Sequence, residues 1–140
     1  MQKDSNMSSI QHIAFNCLDR KKQEEFLTRF FGFRRVRVFN AGRPDEFVML
    51  RLGDSCIELF SAPAGAAPVA ASPTGFQHLA FEVYDIDAKV QELREAGYAT
   101  QDIIDCSDAA PGLRVCFFKD ADGNTIELMQ NWTDEASLDL

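Results

Sequence analysis

Apolar and polar positions along the chain follow one plan used twice. Residues 9–16 read as a strand, with a short apolar run at Ile13, Ala14 and Phe15. Helical spacing then takes over for residues 19–31. Asp19 stands as the expected N-cap, and Phe26, Leu27, Phe30 and Phe31 supply the apolar face. Gly32 ends that helix as a C-cap. Strands are expected at residues 33–39, 47–52 and 56–60. The Gly53-Asp54 turn makes a hairpin of the last two. The second half repeats the order, with a strand at 76–83 and a helix at 85–96 carrying Ile86, Val90 and Leu93 on one face. Gly97 closes that helix as Gly32 closes the first. Strands at 98–104, 113–118 and 125–130 complete it, with Asp122-Gly123-Asn124 as the turn before the last.

The pattern predicts an α+β fold of two β-α-β-β-β modules in tandem, residues 9–60 and 76–132, within a single domain. A segment rich in Pro, Ala and Gly, residues 61–75, joins them, and residues 1–8 and 133–140 read as tails. A sheet apolar on one face cannot bury that face alone in so small a half. Two modules packed together, within one chain or exchanged between two, are expected to form a cup-shaped sheet around a cavity. Open sheet edges need covering, so a homodimer is expected.

Composition narrows the partners. At 140 residues, 46% hydrophobic and 26% charged, the chain is that of a globular domain. A net charge of −8 argues against nucleic acid and anionic membrane surfaces as partners, since both need a basic face, and it suits cation binding. Cys17, Cys56, Cys106 and Cys116 show no C-x-x-C spacing and read as structural thiols of a reducing compartment. No apolar run reaches the length of a membrane span, and the polar start lacks a signal-peptide apolar region. A cytoplasmic protein with a small-molecule substrate is expected.

The candidate chemistry lies in the repeats. The only histidines stand in one phrase used twice, Gln11-His12-Ile13-Ala14-Phe15 and Gln77-His78-Leu79-Ala80-Phe81. Each last strand repeats a second phrase, Ile57-Glu58-Leu59 and Ile126-Glu127-Leu128. The aliphatics flanking each Glu belong to the helix-covered core, so the Glu and His side chains should point to the opposite face. Asn16, Cys56, Phe60, Glu82, Thr125 and Met129 share that face and are expected to line the substrate pocket. His12, Glu58, His78 and Glu127 make a mixed nitrogen and oxygen set suited to Ni²⁺, Co²⁺, Mn²⁺, Fe²⁺ or Zn²⁺ with positions left open.

These marks resemble the vicinal oxygen chelate superfamily, which groups glyoxalase, bleomycin-resistance and dioxygenase proteins. The resemblance rests on the His-x-Ala-Phe openings, the Phe31-Gly32-Phe33 helix exit and the run from Asp120 to Glu127, and covers residues 10–132. It implies paired modules around a divalent cation. Four ligands in the order His12, Glu58, His78, Glu127 are similar to bacterial-type glyoxalase I, a lactoylglutathione lyase. That resemblance implies proton abstraction next to a carbonyl with a metal-stabilised enediolate, Glu127 as base and Glu58 as its partner. Asn16 and Ala62 stand where glyoxalase I carries the Arg and Asn that hold glutathione. The likeness carries the metal chemistry, while these two positions leave open whether glutathione is the thiol used. Methylmalonyl-CoA epimerase is the neighbouring likeness. A metal-free small-molecule binding protein is the competing class, in which Phe47, Phe60 and Met129 would matter most.

Overall fold

The computed structural model describes residues 8–135. The chain divides into two compact units between Ala67 and Pro68, inside the Pro- and Ala-rich segment. Each unit is one β-α-β-β-β module, giving the α+β class that the periodicity predicts.

The first module runs β1 (Ile13–Cys17), α1 (Arg20–Phe31), β2 (Arg34–Phe39), β3 (Phe47–Leu52) and β4 (Ser55–Ser61). Its sheet has the order β1-β4-β3-β2, with β1 parallel to β4 and the other pairs antiparallel. The Asp19 carboxylate accepts from the Lys22 amide at 3.1 Å, satisfying a donor of the first turn. Gly32 stops the helix at φ 77, a backbone region that side-chain-bearing residues rarely adopt. α1 lies against β4 and β1. Phe26, Leu27 and Phe30 are buried, as are Cys17, Val48, Leu50, Ile57 and Leu59. Full burial of each such aliphatic stabilises by roughly 1.5–3 kcal/mol before entropy is counted.

The second module runs β5 (Leu79–Glu82), α2 (Ile86–Glu95), β6 (Ile104–Asp105), β7 (Arg114–Lys119) and β8 (Thr125–Gln130). The order β5-β8-β7-β6 repeats the first sheet strand for strand. Asp85 caps α2 through the Ala88 amide at 3.1 Å. Asp120 builds the turn before β8. Its Oδ1 accepts from the Asp122 and Asn124 amides, both at 2.9 Å, while Gly123 takes φ 84.

Three elements differ from the expectations. The strand expected at 98–104 is reduced to Ile104–Asp105. Upstream of it the chain touches β7 through isolated bonds, Gln101 N–H to the Phe117 carbonyl and the Cys116 thiol to the Gln101 carbonyl. The first strand of each module begins later than expected, at Ile13 and Leu79. The parallel ladders open only where Ile57 and Ile126 become available as partners. Both histidines therefore sit at the entrance of a strand, one residue before its first rung. Of the expected tails, residues 1–7 and 136–140 lie outside the described residues. Among the described residues no helix is long and apolar enough to cross a membrane.

Candidate metal centre

The parallel ladders place Ala14 opposite Glu58 and Ala80 opposite Glu127, on the sheet face away from the helix in each module. A small residue there leaves room for the histidine two positions earlier to lean over the carboxylate. His12 Nε2 lies 3.1 Å from Glu58 Oε1, and His78 Nε2 lies 2.8 Å from Glu127 Oε2. Both carboxylates are shielded, with side chains 11% and 12% exposed, beneath imidazoles that are 40% and 30% exposed.

A third residue joins each pair. His12 Nδ1 donates to Gln11 Oε1 at 2.6 Å, and His78 Nδ1 donates to Gln77 Oε1 at the same distance. In the first module Gln11 Nε2 lies 3.9 Å from Cys56 Sγ, which orients the amide with its oxygen toward the ring. The glutamine carbonyl accepts only, so Nδ1 carries the proton and Nε2 is the atom presented to the carboxylate. An imidazole lone pair facing a carboxylate oxygen needs a positive charge between or on them. A proton on Nε2 or a shared metal ion meets that need. The donor set, its tautomer and its outer partner all fit a divalent ion of the nitrogen and oxygen class.

Among the described residues no group of three or more metal-type side chains is assembled. Each module by itself brings together one imidazole and one carboxylate, His12 with Glu58 and His78 with Glu127. The expected pocket residues are distributed around these pairs. Asn16 and Glu82 are exposed. Cys56 is buried beside Gln11. Thr125 accepts from Lys119 Nζ at 2.6 Å. Met129 packs against a cluster of Ala110, Leu113 and Val115. Phe60 stacks on Phe47 with ring centroids 4.2 Å apart. The four cysteines are free, and burial pushes the Cys116 thiol up, in keeping with a structural role.

Sequence reasoning gave no role to Gln11 and Gln77, although the repeated phrase contained both. The signal was their identity at the position before each histidine. Phe117, the cross-strand partner of Glu127, also stands edge-on to His78 at 5.7 Å.

Known proteins are similar to this chain over most of its length. A profile of the Glyoxalase/Bleomycin resistance protein/Dioxygenase superfamily matches residues 9–128. The uncharacterized protein YwkD of Bacillus subtilis is 37% identical over 130 residues, covering 89% of this chain and 98% of its own length. The uncharacterized protein YaeR of Escherichia coli is 32% identical over 127 residues, covering 89% and 97%. Among solved structures, a glyoxalase family protein from Enterococcus faecalis superimposes with a TM-score of 0.70 at 30% identity, covering 86% and 96%. Two others share the fold at lower identity. They are FosX of Listeria monocytogenes complexed with Mn(II) and sulfate (TM-score 0.68, 16% identity, covering 90% and 94%) and a lactoylglutathione lyase from Agrobacterium tumefaciens (0.63, 19%, covering 91% and 96%).

Proposed function

The chain belongs to the Glyoxalase/Bleomycin resistance protein/Dioxygenase superfamily, and from that premise we propose that it is a metal-dependent lyase or isomerase of the glyoxalase I type. The observation that supports this reading most is the Gln–His–Glu line built twice, at the same place in each module. Folding alone calls for no imidazole aimed at a shielded carboxylate, still less for an amide that fixes its tautomer.

In this reading His12, Glu58, His78 and Glu127 together hold one divalent ion. When bound, the ion supplies Lewis-acid stabilisation of negative charge on a substrate carbonyl oxygen. The remaining work belongs to side chains of the protein. Glu127 takes the proton from the carbon next to the carbonyl, and Glu58 returns a proton to the substrate. The two carboxyls then reset by exchange with solvent, so the step is an isomerisation with no net redox change. Gln11 and Gln77 are positioning residues that keep Nε2 of each histidine aimed inward. Asn16 and Ala62 provide no cation for a glutathione carboxylate, so the proposed substrate is a hemithioacetal or related carbonyl compound built on another thiol or acid.

The test combines metal analysis with proton exchange. Purified protein should carry a transition metal that the His12→Ala, His78→Ala double variant lacks. Parent protein should also catalyse deuterium uptake from D2O beside the carbonyl of methylglyoxal hemithioacetals, presented as a panel of thiols. Glu127→Gln should retain much of the metal and lose at least a hundredfold in exchange rate, the scale expected of a general base. Equal metal content in parent and double variant, or full exchange activity in Glu127→Gln, would overturn the assignment.

A further inference from the structure

We propose that the helix-free face of the first module's sheet is a substrate subsite, in which Arg34, Arg37 and Arg51 hold an anionic group and Phe39, Phe47 and Phe60 take a flat apolar body. The proposal deepens the enzyme reading above and rests on it only for the identity of the reacting end.

Register puts these residues in three rows across one face. Asn16 and Phe60 are rung partners, as are Phe47 and Phe39, and the rings of Phe60, Phe47 and Phe39 form a continuous stack. Centroids are 4.2 Å apart for Phe47 on Phe60 and 4.5 Å for Phe39 on Phe47, with interplanar angles of 18° and 8°. The next row holds Ala14, Glu58, Met49 and Arg37. The third holds Cys56, Arg51 and Arg34. Glu58 is the one carboxylate in these rows, and it faces His12.

A β-bulge creates this arrangement. Arg35 pairs with Leu50, but Arg37 pairs with Met49, so Val36 is the extra residue. Simple alternation would have sent Arg35, Arg37 and Phe39 to one face. With the bulge, Arg35 points to the helix and forms a two-pronged ion pair with Glu24 (2.6 and 2.8 Å), while Arg34, Arg37 and Phe39 all reach the open face. Bulges of this kind re-aim side chains beside functional sites.

The arginines are arranged against the preference of the fold. Arg34 and Arg51 are direct cross-strand partners, and like charges so placed are destabilising. None of Arg34, Arg37 and Arg51 has an ion-pair partner among the described residues, in a chain whose net charge is −8. Arg37 is held only over the Phe39 ring, 5.9 Å from its centroid. Planar guanidiniums without carboxylate partners are suited to a carboxylate or phosphate of a ligand.

The second module supplies the internal control. The position of Arg51 is taken by Lys119, which is bonded to Thr125. The positions of Phe60 and Phe47 are taken by Met129 and Val115, which Ala110 and Leu113 of the preceding loop cover. The corresponding loop of the first module, residues 40–46, is polar, and its residues are exposed apart from the partly buried Glu46. One copy covers this end of its face with its own chain, and the other keeps rings and arginines there. Two strand spacings separate Glu58 from Arg37, so the anionic group would sit on the order of 10 Å from the reacting carbon.

The test is direct binding of phenylbutyrate and phenyl phosphate to the full chain by calorimetry, with neutral phenylbutanol as the control. Both anions should bind the parent and also the His12→Ala, His78→Ala variant, because this subsite is separate from the metal ligands. The tighter of the two identifies the head group as carboxylate or phosphate. Arg34→Gln with Arg51→Gln should weaken anion binding roughly tenfold or more, as expected for charge-assisted hydrogen bonds. Phe47→Leu should weaken all three probes. The Arg34→Gln variant should also melt no lower than the parent without ligand, which keeps a folding defect from imitating the result. Equal binding of phenylbutanol, unchanged anion affinity in the arginine variants, or a change of oligomeric state in place of a change in binding would overturn the proposal. If anions bind as expected and no metal is found, the enzyme reading fails and the subsite stands.

Discussion

At the scale of single residues, the two glutamines carry more of the site than their unremarkable type suggests. A histidine on an exposed strand entrance can turn, and either nitrogen can face inward. Gln11 and Gln77 remove that choice by accepting from Nδ1 at 2.6 Å in both modules. Outer partners of this kind typically contribute one to two orders of magnitude in metal affinity. Replacing both with Leu should therefore weaken metal binding roughly tenfold to a hundredfold, read by competition with a chromophoric chelator, while leaving the thermal midpoint nearly unchanged. Both glutamines were visible in the repeated phrase. Their role was not, because a hydrogen bond between adjacent side chains depends on backbone direction that no periodicity records.

At the scale of elements, local signals specify ends well. Asp19 caps α1 as expected, and Asp85, expected as the first residue of its helix, stands before α2 and caps it in the same way, each through the amide three residues on. Replacing either with Ala should cost about 1 kcal/mol in urea unfolding. The loop between β2 and β3 is tied down by Glu46, which accepts from the Gly42 amide at 3.0 Å and pairs with Arg20 of α1. The Gly42 amide, followed by Arg20, holds the Glu46 carboxyl below its usual range. A carboxyl depressed in the folded state stabilises above its unfolded value and loses that contribution as pH falls through the folded one. Glu46→Gln should thus be less stable than the parent near neutrality, and the two should converge under acid below the ordinary carboxylate range. A series of urea midpoints across pH reads this directly. The strand expected at 98–104 shows where element-scale reading fails. Only Ile104 and Asp105 form ladder pairs with β7, and Gln101 meets it through isolated bonds.

At the scale of the whole molecule, duplication is what makes a two-residue feature significant. One His–Glu pair provides two ligands, too few for a first-row divalent ion that keeps a place for substrate. If both pairs serve one ion, His12→Ala alone and His78→Ala alone should each remove nearly all bound metal, and the parent should hold one ion per two pairs. If each pair bound its own ion, each single variant would keep half. Elemental analysis of the parent and both single variants separates these outcomes. Duplication also permits divergence. Each module keeps the His, Gln and Glu, while the open face of one adds a Phe stack and arginines and that of the other adds Val115, Phe117 and Met129 packed with a loop.

The sequence by itself determined the modules, the helices with the Asp19 and Gly32 caps of the first, the hairpin turns and the identity of the four candidate ligands. These depend on spacing within a few residues, on glycine at positive φ and on a repeated phrase, all of which are local. It also placed Glu58 and Glu127 on the face away from the helices, since their aliphatic neighbours had to be buried. Only the tertiary structure decided which histidine meets which carboxylate, because that follows from the parallel pairing of first and last strands. It alone revealed the bulge at Val36, which turns Arg37 and Phe39 to the open face against simple alternation. Cross-strand adjacency and a one-residue register shift are properties of two segments at once. A pattern read along one segment cannot contain them.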